Sequence, residues 1–461
     1  GDSRIKMIVA DSELHILCKN NNNIPVDIKL KDNDKNFLAS ADRYISYGYY
    51  PFTRVIRKNY TDKSFLEWHL YVERKFNIIY HKLKKFNPNY GLIFSIDNGL
   101  AIYNYLYFVF KKLNKKIFFH QWLRVQGRVT INDSIYYHDN RIEKLYHDIR
   151  NKPIDQNSEL YSKAIDYKEK YILLNKNSNS EVYGKQISKE SILFYHFVKS
   201  LLQPWRLQWI ISSLIKYIRK PKLMIFDRID SISIIIYRFR SWYYLVFFKK
   251  YFFEGWRKKE FIYYPIHAEP EVSTLVHGNK YFNQFRLLKR LALISKRLNK
   301  KLYVKNHPYY YQNVPSEFVK KILLIDNLFL IDHRTSGFEL MQNATLTVTN
   351  TGSGALECLY IGKKSITLSK TPFSGFEHSP VKMIDELTYA NIKKIIQLPT
   401  DDLKLRKKGM DWIMTAFEKS NFNLFKNINE YQNKLISDKN KRKSYFEFIT
   451  QSIKKYQNCH E

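Results

Sequence analysis

Cysteine is almost missing from this chain. The three present, Cys18, Cys358 and Cys459, have neither paired nor metal-ligand spacing. That excludes a disulfide framework and a zinc signature, and makes a reducing cytoplasm the expected compartment. Long apolar runs are missing too. The nearest, Ile232 to Phe248, is interrupted by Arg238 and Arg240, short of the roughly 18–20 apolar residues of a spanning helix. No amino-terminal signal peptide reads from Gly1 onward, and no internal repeat or low-complexity linker is visible. Acidic residues are scarce: Asp and Glu number 43 against 77 Lys and Arg, a formal net charge of +34. Such an excess favours an anionic partner, whether nucleic acid, an anionic membrane surface or a phosphorylated substrate. The abundance of Lys, Asn, Ile and Tyr also fits AT-rich coding. With 44% hydrophobic residues among 461, the chain can bury real cores and is long enough for two or three domains.

Organisation along the chain follows hydrophobic periodicity. In the first part Ile5 to Ala10 is a candidate strand. A clearer strand, Gly91 to Ile96, ends at Asp97-Asn98-Gly99. A helix-like run, Leu100 to Leu113, and a strand, Lys116 to Phe119, come next. Strand, helix and strand within about 30 residues make a βαβ unit. Residues 135–255 are basic, aromatic and poor in glycine, and read as a helical insertion. Its basic amphipathic stretches suit either an anionic membrane surface or packing on the protein's own sheet. From Phe261 strands alternate with helical patterns: Phe261 to Ile266, Leu302 to Val304, Leu328 to Ile331, Thr345 to Thr349 and Ser365 to Leu368. That alternation predicts a parallel sheet with crossover helices. The tail from Asp401 is charged and helical. The expected domains are residues 1–134, the insertion 135–255, a second α/β domain 256–400, and helices 401–461 packing back on the first domain.

The chemistry-bearing residues cluster where these strands end, which is where open α/β sheets bind ligands. His267-Ala268-Glu269-Pro270-Glu271 places an imidazole and two carboxylates after one strand, suited to acid–base work. Lys305-Asn306-His307-Pro308 ends the next. Lys305 can neutralise phosphate, and His307, held extended by Pro308, can donate to phosphate or carry a proton. Thr351-Gly352-Ser353-Gly354 ends a third strand and opens a helix, where backbone N–H groups can approach a phosphate. The same turn also serves as ordinary capping, and its glycine spacing is neither a Walker loop nor a dinucleotide fingerprint. Glu357, one turn into that helix, can accept hydrogen bonds from a ribose diol, or act as a helix-dipole carboxylate. In the first part, Asp97 can act as base or nucleophile, or serve turn chemistry. Arg124 and Arg128 can hold an anionic acceptor, or form surface salt bridges.

Together these stretches resemble the capsular polysaccharide biosynthesis glycosyltransferases, the group that includes the bacterial Kdo transferases. The matching segments are Pro265-Ile266-His267-Ala268-Glu269-Pro270-Glu271, Lys305-Asn306-His307-Pro308, Thr351-Gly352-Ser353-Gly354-Ala355-Leu356-Glu357 and Gly362-Lys363-Lys364. They agree in order and approximate spacing over residues 260–370. One departure is Glu269, where many relatives carry Gln. The resemblance implies a GT-B fold: two Rossmann-like domains facing a central cleft, here with a helical insertion and C-terminal helices. It implies a nucleotide-sugar substrate, CMP-linked Kdo or another ulosonic acid, with no cofactor and no metal. It places Asp97, His267 and Glu269 at the reacting carbon. Glu271, Lys305, His307, Thr351, Gly352, Ser353 and Glu357 then bind the donor, and Arg124 and Arg128 the acceptor. The expected setting is bacterial capsule or lipopolysaccharide assembly by a cytoplasmic protein peripheral at the inner face of the membrane, with a glycan or glycolipid acceptor. A UDP- or GDP-sugar donor is the alternative within this class. A nucleic-acid-binding or membrane-scaffold protein is the alternative outside it. No nucleic-acid module is recognisable, so nucleic acid is not an expected partner.

Overall fold

Alternation along residues 261–264 organises the larger sheet. In the computed structural model, strand β4 (Phe261–Pro265) buries Phe261 and Tyr263 in one apolar cluster and Ile262 and Tyr264 in another. A strand covered on both faces belongs inside a parallel sheet with helices on each side. The structure describes residues 27–41, 65–93, 101–125, 128–133, 135, 139–153, 155–177, 249–258, 260–267, 277–281, 283–307, 316–419 and 451.

Among the described residues the strands of this sheet are β4, β5 (Lys301–Lys305), β6 (Leu328–Ile331), β7 (Leu346–Thr349), β8 (Ser365–Thr367) and β9 (Lys382–Met383). Their spatial order is β6-β5-β4-β7-β8-β9, with every pairing parallel. The chain thus runs outward from β4 to β6, returns past it to β7, and continues the other way. This is the doubly wound order, and the β4/β7 boundary is its switch point. Five strands lie within two residues of the predicted spans. The sixth, β9, is only two residues long and gives no periodic signal.

The described residues of the first half include a second, three-stranded sheet. Helices α1 (Asp32–Ala41), α2 (Phe65–Phe86) and α3 (Ala101–Lys112) share a core with the strands β1 (Tyr90–Ile93) and β2 (Lys116–Trp122). β1 pairs parallel to β2, and β3 (Val129–Asn132) pairs antiparallel to β2. The strand–helix–strand unit read from the sequence is therefore β1-α3-β2. Residues 94–96 of the predicted first strand, and the Ile5 to Ala10 strand, lie outside the described residues.

From the region predicted as a helical insertion, α4 (Asn140–Asn151) and α5 (Glu159–Asn177) are described. Both pack against the late helix α11 (Asp402–Lys419). Its stretch from Gly409 to Ala416 is buried without interruption, as expected of a helix surrounded on all sides. A third apolar cluster joins Leu123 and Val125 after β2, Ile142 and Tyr146 of α4, Leu356 and Tyr360 beyond β7, and Trp412 of α11. The Trp412 indole donates to the Leu123 carbonyl at 3.0 Å. Gly409 lets α11 approach closely, since a Cβ there would sit 3.1 Å from Tyr360 and 3.2 Å from Leu359. Helices α6 (Gln284–Arg297), α7 (Ser316–Leu323) and α10 (Tyr389–Gln397) cover one face of the large sheet. Helices α8 (Gly337–Asn343) and α9 (Gly354–Tyr360) lie on the other. Among the described residues no helix is long and apolar enough to cross a membrane.

Candidate functional site

The carboxyl ends of β4 and β7 meet at the switch point, and one histidine ties them together. Ile266 still pairs with β5, its N–H donating to the Lys305 carbonyl at 2.8 Å, and His267 comes next. The first residue of α6 clamps its backbone: Gln284 Oε1 accepts from the His267 N–H at 2.8 Å, and Gln284 Nε2 donates to its carbonyl at 3.1 Å. The His267 ring then reaches across to the β7 turn, where Nε2 accepts from the Asn350 N–H at 3.0 Å. Asn350 is itself anchored, donating to the Tyr281 carbonyl at 3.1 Å and accepting from the Ser369 hydroxyl at 2.7 Å.

That bond fixes the imidazole chemistry. With Nε2 accepting, the ring is neutral and carries its proton on Nδ1. Burial, helped by His307 and Arg124, lowers the His267 pKa to about 3. In this arrangement His267 offers a hydrogen-bond donor, and its acceptor nitrogen is already engaged. Gly352 makes the approach possible, because a Cβ there would lie 2.7 Å from His267 Cε1.

Lys305 and Glu357 supply the buried charges. Lys305 Nζ donates to the Thr335 carbonyl at 3.0 Å and lies beneath the start of α8, 3.6 Å from where a Gly337 Cβ would be. Burial lowers its pKa to about 8, against the pull of Asp332 and Glu357. Burial raises the pKa of Glu357, opposed by hydrogen bonds from Ser353 and Tyr171 and by Lys305. Ser353 heads α9, but its hydroxyl does not cap the helix. It donates to Glu357 Oε1 at 2.7 Å. His307, beyond Lys305, is held neutral by burial and the nearby ammonium, with a pKa near 4. Burial would raise Asp332, yet Arg334 hydrogen bonds hold its pKa below the usual carboxylate value.

The structure therefore gathers His267, Lys305, His307, Thr351, Gly352, Ser353 and Glu357 at one edge of the sheet. Arg124 joins them from the turn after β2, near enough for its charge to bear on His267. Its backbone is left-handed, with φ of 59°. Arg128 goes elsewhere: its guanidinium lies over the Phe417 ring of α11, 3.9 Å from the centroid. Asp97, Glu269 and Glu271 lie outside the described residues. Among the described residues no group of three His, Cys, Asp or Glu side chains is placed to hold a metal ion.

Sequence reasoning passed over Gln284, Asp332, Thr335 and Tyr171. A signal existed for two of them. Asp332-His333-Arg334-Thr335-Ser336-Gly337 follows β6 as the other polar turns follow their strands, so the same strand-end rule selects it. Gln284 and Tyr171 sit in helical patterns that give no hint of what they face.

No protein-family model matches the chain, and no curated protein does. Among solved structures it is similar to Thermosulfurimonas dismutans KpsC, a beta Kdo 2,7 transferase. The likeness covers 79% of this chain and 86% of that one, at 12% identity and a TM-score of 0.30. A likeness at that level carries no argument about activity.

Proposed function

We propose that the chain is a glycosyltransferase that moves an acidic ulosonic sugar from a CMP-linked donor onto a bacterial surface glycan. The observation that carries this reading is the meeting of His267, Lys305, Gly352 and Glu357 at the switch point of a doubly wound parallel sheet. The switch point is where such sheets bind nucleotides. The arrangement also matches the segments that resemble the capsular polysaccharide glycosyltransferases.

In this reading Lys305 and the Nδ1–H of His267 face the donor's phosphate and carboxylate. The Thr351-Gly352-Ser353 turn brings backbone N–H groups to the same anion. Glu357 accepts hydrogen bonds from the ribose diol. His307, neutral at pH 7, donates without adding charge. Arg124 approaches from the first half and lends a second cation to the departing phosphate. Catalysis then rests on positioning and on stabilising negative charge as the phosphate leaves. Asp97 and Glu269 remain the candidate carboxylates at the reacting carbon, and both inversion and retention are compatible with them.

A thermal-shift panel of CMP, UDP, GDP and their sugars tests the reading. Ligand at about one hundred times Kd stabilises the native state by about 2.7 kcal/mol, so CMP species should raise Tm most. Glu357→Ala and His307→Ala should each weaken that rise and donor turnover while leaving a folded chain. A larger rise with UDP or GDP species would reassign the donor. Normal donor turnover by both variants would overturn the site.

A further inference from the structure

We propose that Tyr171, on helix α5, is a positioning residue of the donor site. Its hydroxyl holds the Glu357 carboxylate in the orientation that accepts the donor's vicinal diol. This rests on reading Glu357 as the diol-binding residue.

Helix α5 comes from the region that reads as an insertion, yet it lies along α9. The Tyr171 ring meets Tyr360 edge-on at 5.7 Å, and the next residue, Ile172, packs on the cluster containing Cys358 and Ile361. Glu357 and Tyr360 are three residues apart and share a helix face. A side chain set edge-on against Tyr360 is therefore carried to the Glu357 carboxylate, and the Tyr171 hydroxyl hydrogen-bonds it. Ser353 takes Oε1 from the other side. Two donors from separate elements thus hold the one carboxylate.

The other groups facing Glu357 sharpen the case. Lys305 at the end of β5 supplies the opposite charge. Tyr263 of β4, with Cys358 and Tyr360 of α9, sense the Glu357 charge and are kept neutral by burial. Burial pushes Glu357 toward its protonated form, which accepts fewer hydrogen bonds. Hydrogen bonds to the ionised form oppose that push. The Tyr171 hydroxyl therefore also lowers the pH at which Glu357 becomes an acceptor, beside the larger effect of Ser353.

Tyr171→Phe removes one oxygen and keeps the ring. Two measurements read the result. In ligand-free protein, a carbon-13 NMR titration of the Glu357 carboxyl, assigned with Glu357→Gln, should show its midpoint moved up in Tyr171→Phe. In the assay, the KM for the CMP-sugar should rise about tenfold, as expected on losing a hydrogen bond to a charged group, with kcat changed less than about twofold. The acid limb of kcat/KM should move up with the titration. Tyr360→Phe is the control. Its buried hydroxyl has no hydrogen-bond partner among the described residues, so both readouts should stay at wild-type values. An unmoved titration, or an unmoved KM in an active enzyme, overturns the role of Tyr171 alone. A wild-type protein that binds no nucleotide sugar sinks the functional reading and this proposal with it.

Discussion

Buried polar side chains have different partners in the two sheets. Around the small sheet they close local structure. Asn77 of α2 accepts from the Ile28 N–H at 2.9 Å and donates to the Ile28 carbonyl at 3.0 Å, stitching an extended segment to the helix. Lys35 pairs with Glu73 at 2.8 Å, and Gln121 accepts from Asn132 across β2 and β3. Around the large sheet the buried polar groups collect at the carboxyl strand ends, and their charges are poorly matched to burial. Lys305 has a depressed pKa, Glu357 a raised one, and His267 and His307 are held neutral. Four perturbed groups brought together at adjoining strand ends mark a candidate ligand site. The satisfied pairs of the first half mark architecture.

The joint between the two regions should show the largest effect. Trp412 is wholly buried in the cluster that contains residues from both halves, and its indole bonds the Leu123 carbonyl. Trp412→Ala should lower unfolding stability by about 3–5 kcal/mol, the range for emptying a large aromatic site. Urea unfolding followed by far-UV circular dichroism would measure it. A loss under about 1 kcal/mol would mean that α11 is not what joins the halves.

An exchange between the regions comes next in size. Asn77→Ala leaves the Ile28 backbone N–H and carbonyl without their partner, which costs about 1–3 kcal/mol, and should leave nucleotide-induced stabilisation intact. Lys305→Met removes a cation that burial penalises, and with it the charge facing Glu357 and Asp332; the two effects oppose each other, so its stability loss should be smaller than that of Asn77→Ala. It should, however, lose most of the thermal shift given by the CMP-sugar. If the two variants exchanged phenotypes, the division between architecture and site would be wrong.

Much of the large sheet was legible because parallel strands buried on both faces read as apolar runs. Phe261 to Ile266 and Leu328 to Ile331 could be found without any structure. The site was legible wherever a polar turn directly followed such a run, as at His267, Lys305 and Gly352. Three features were not. Gln284 opens a helix as any polar residue can, and only the fold brings it to the His267 backbone. Tyr171 lies among aromatics whose helical spacing reads as core. Its distance in sequence from Glu357 hides the contact. The opposite fates of Arg124 and Arg128, four residues apart, are set by a left-handed backbone at one and by Phe417 of α11 at the other.

The smallest effect at neutral pH concerns acid. The folded pKa of His307, near 4, is below its unfolded value of about 6.5. Between those values the unfolded chain binds the proton more readily than the folded one does. The stability tied to a neutral His307 is thus complete above pH 6.5 and is lost as pH falls toward 4. His307→Asn keeps a polar side chain that cannot titrate. At pH 7 both side chains are neutral, so any Tm difference there reflects packing and hydrogen bonding, and its change with pH is the readout. Below pH 6.5 the wild-type Tm should fall faster, so the two curves converge or cross as pH drops toward 4. His267, whose pKa of about 3 is lowered in part by His307, titrates mainly below this window in both proteins. Parallel curves from pH 7 to pH 4 would show that His307 is as open to protonation in the folded chain as in the unfolded one. The strand end at Lys305 would then not be the desolvated anion site that distinguishes the large sheet from the small.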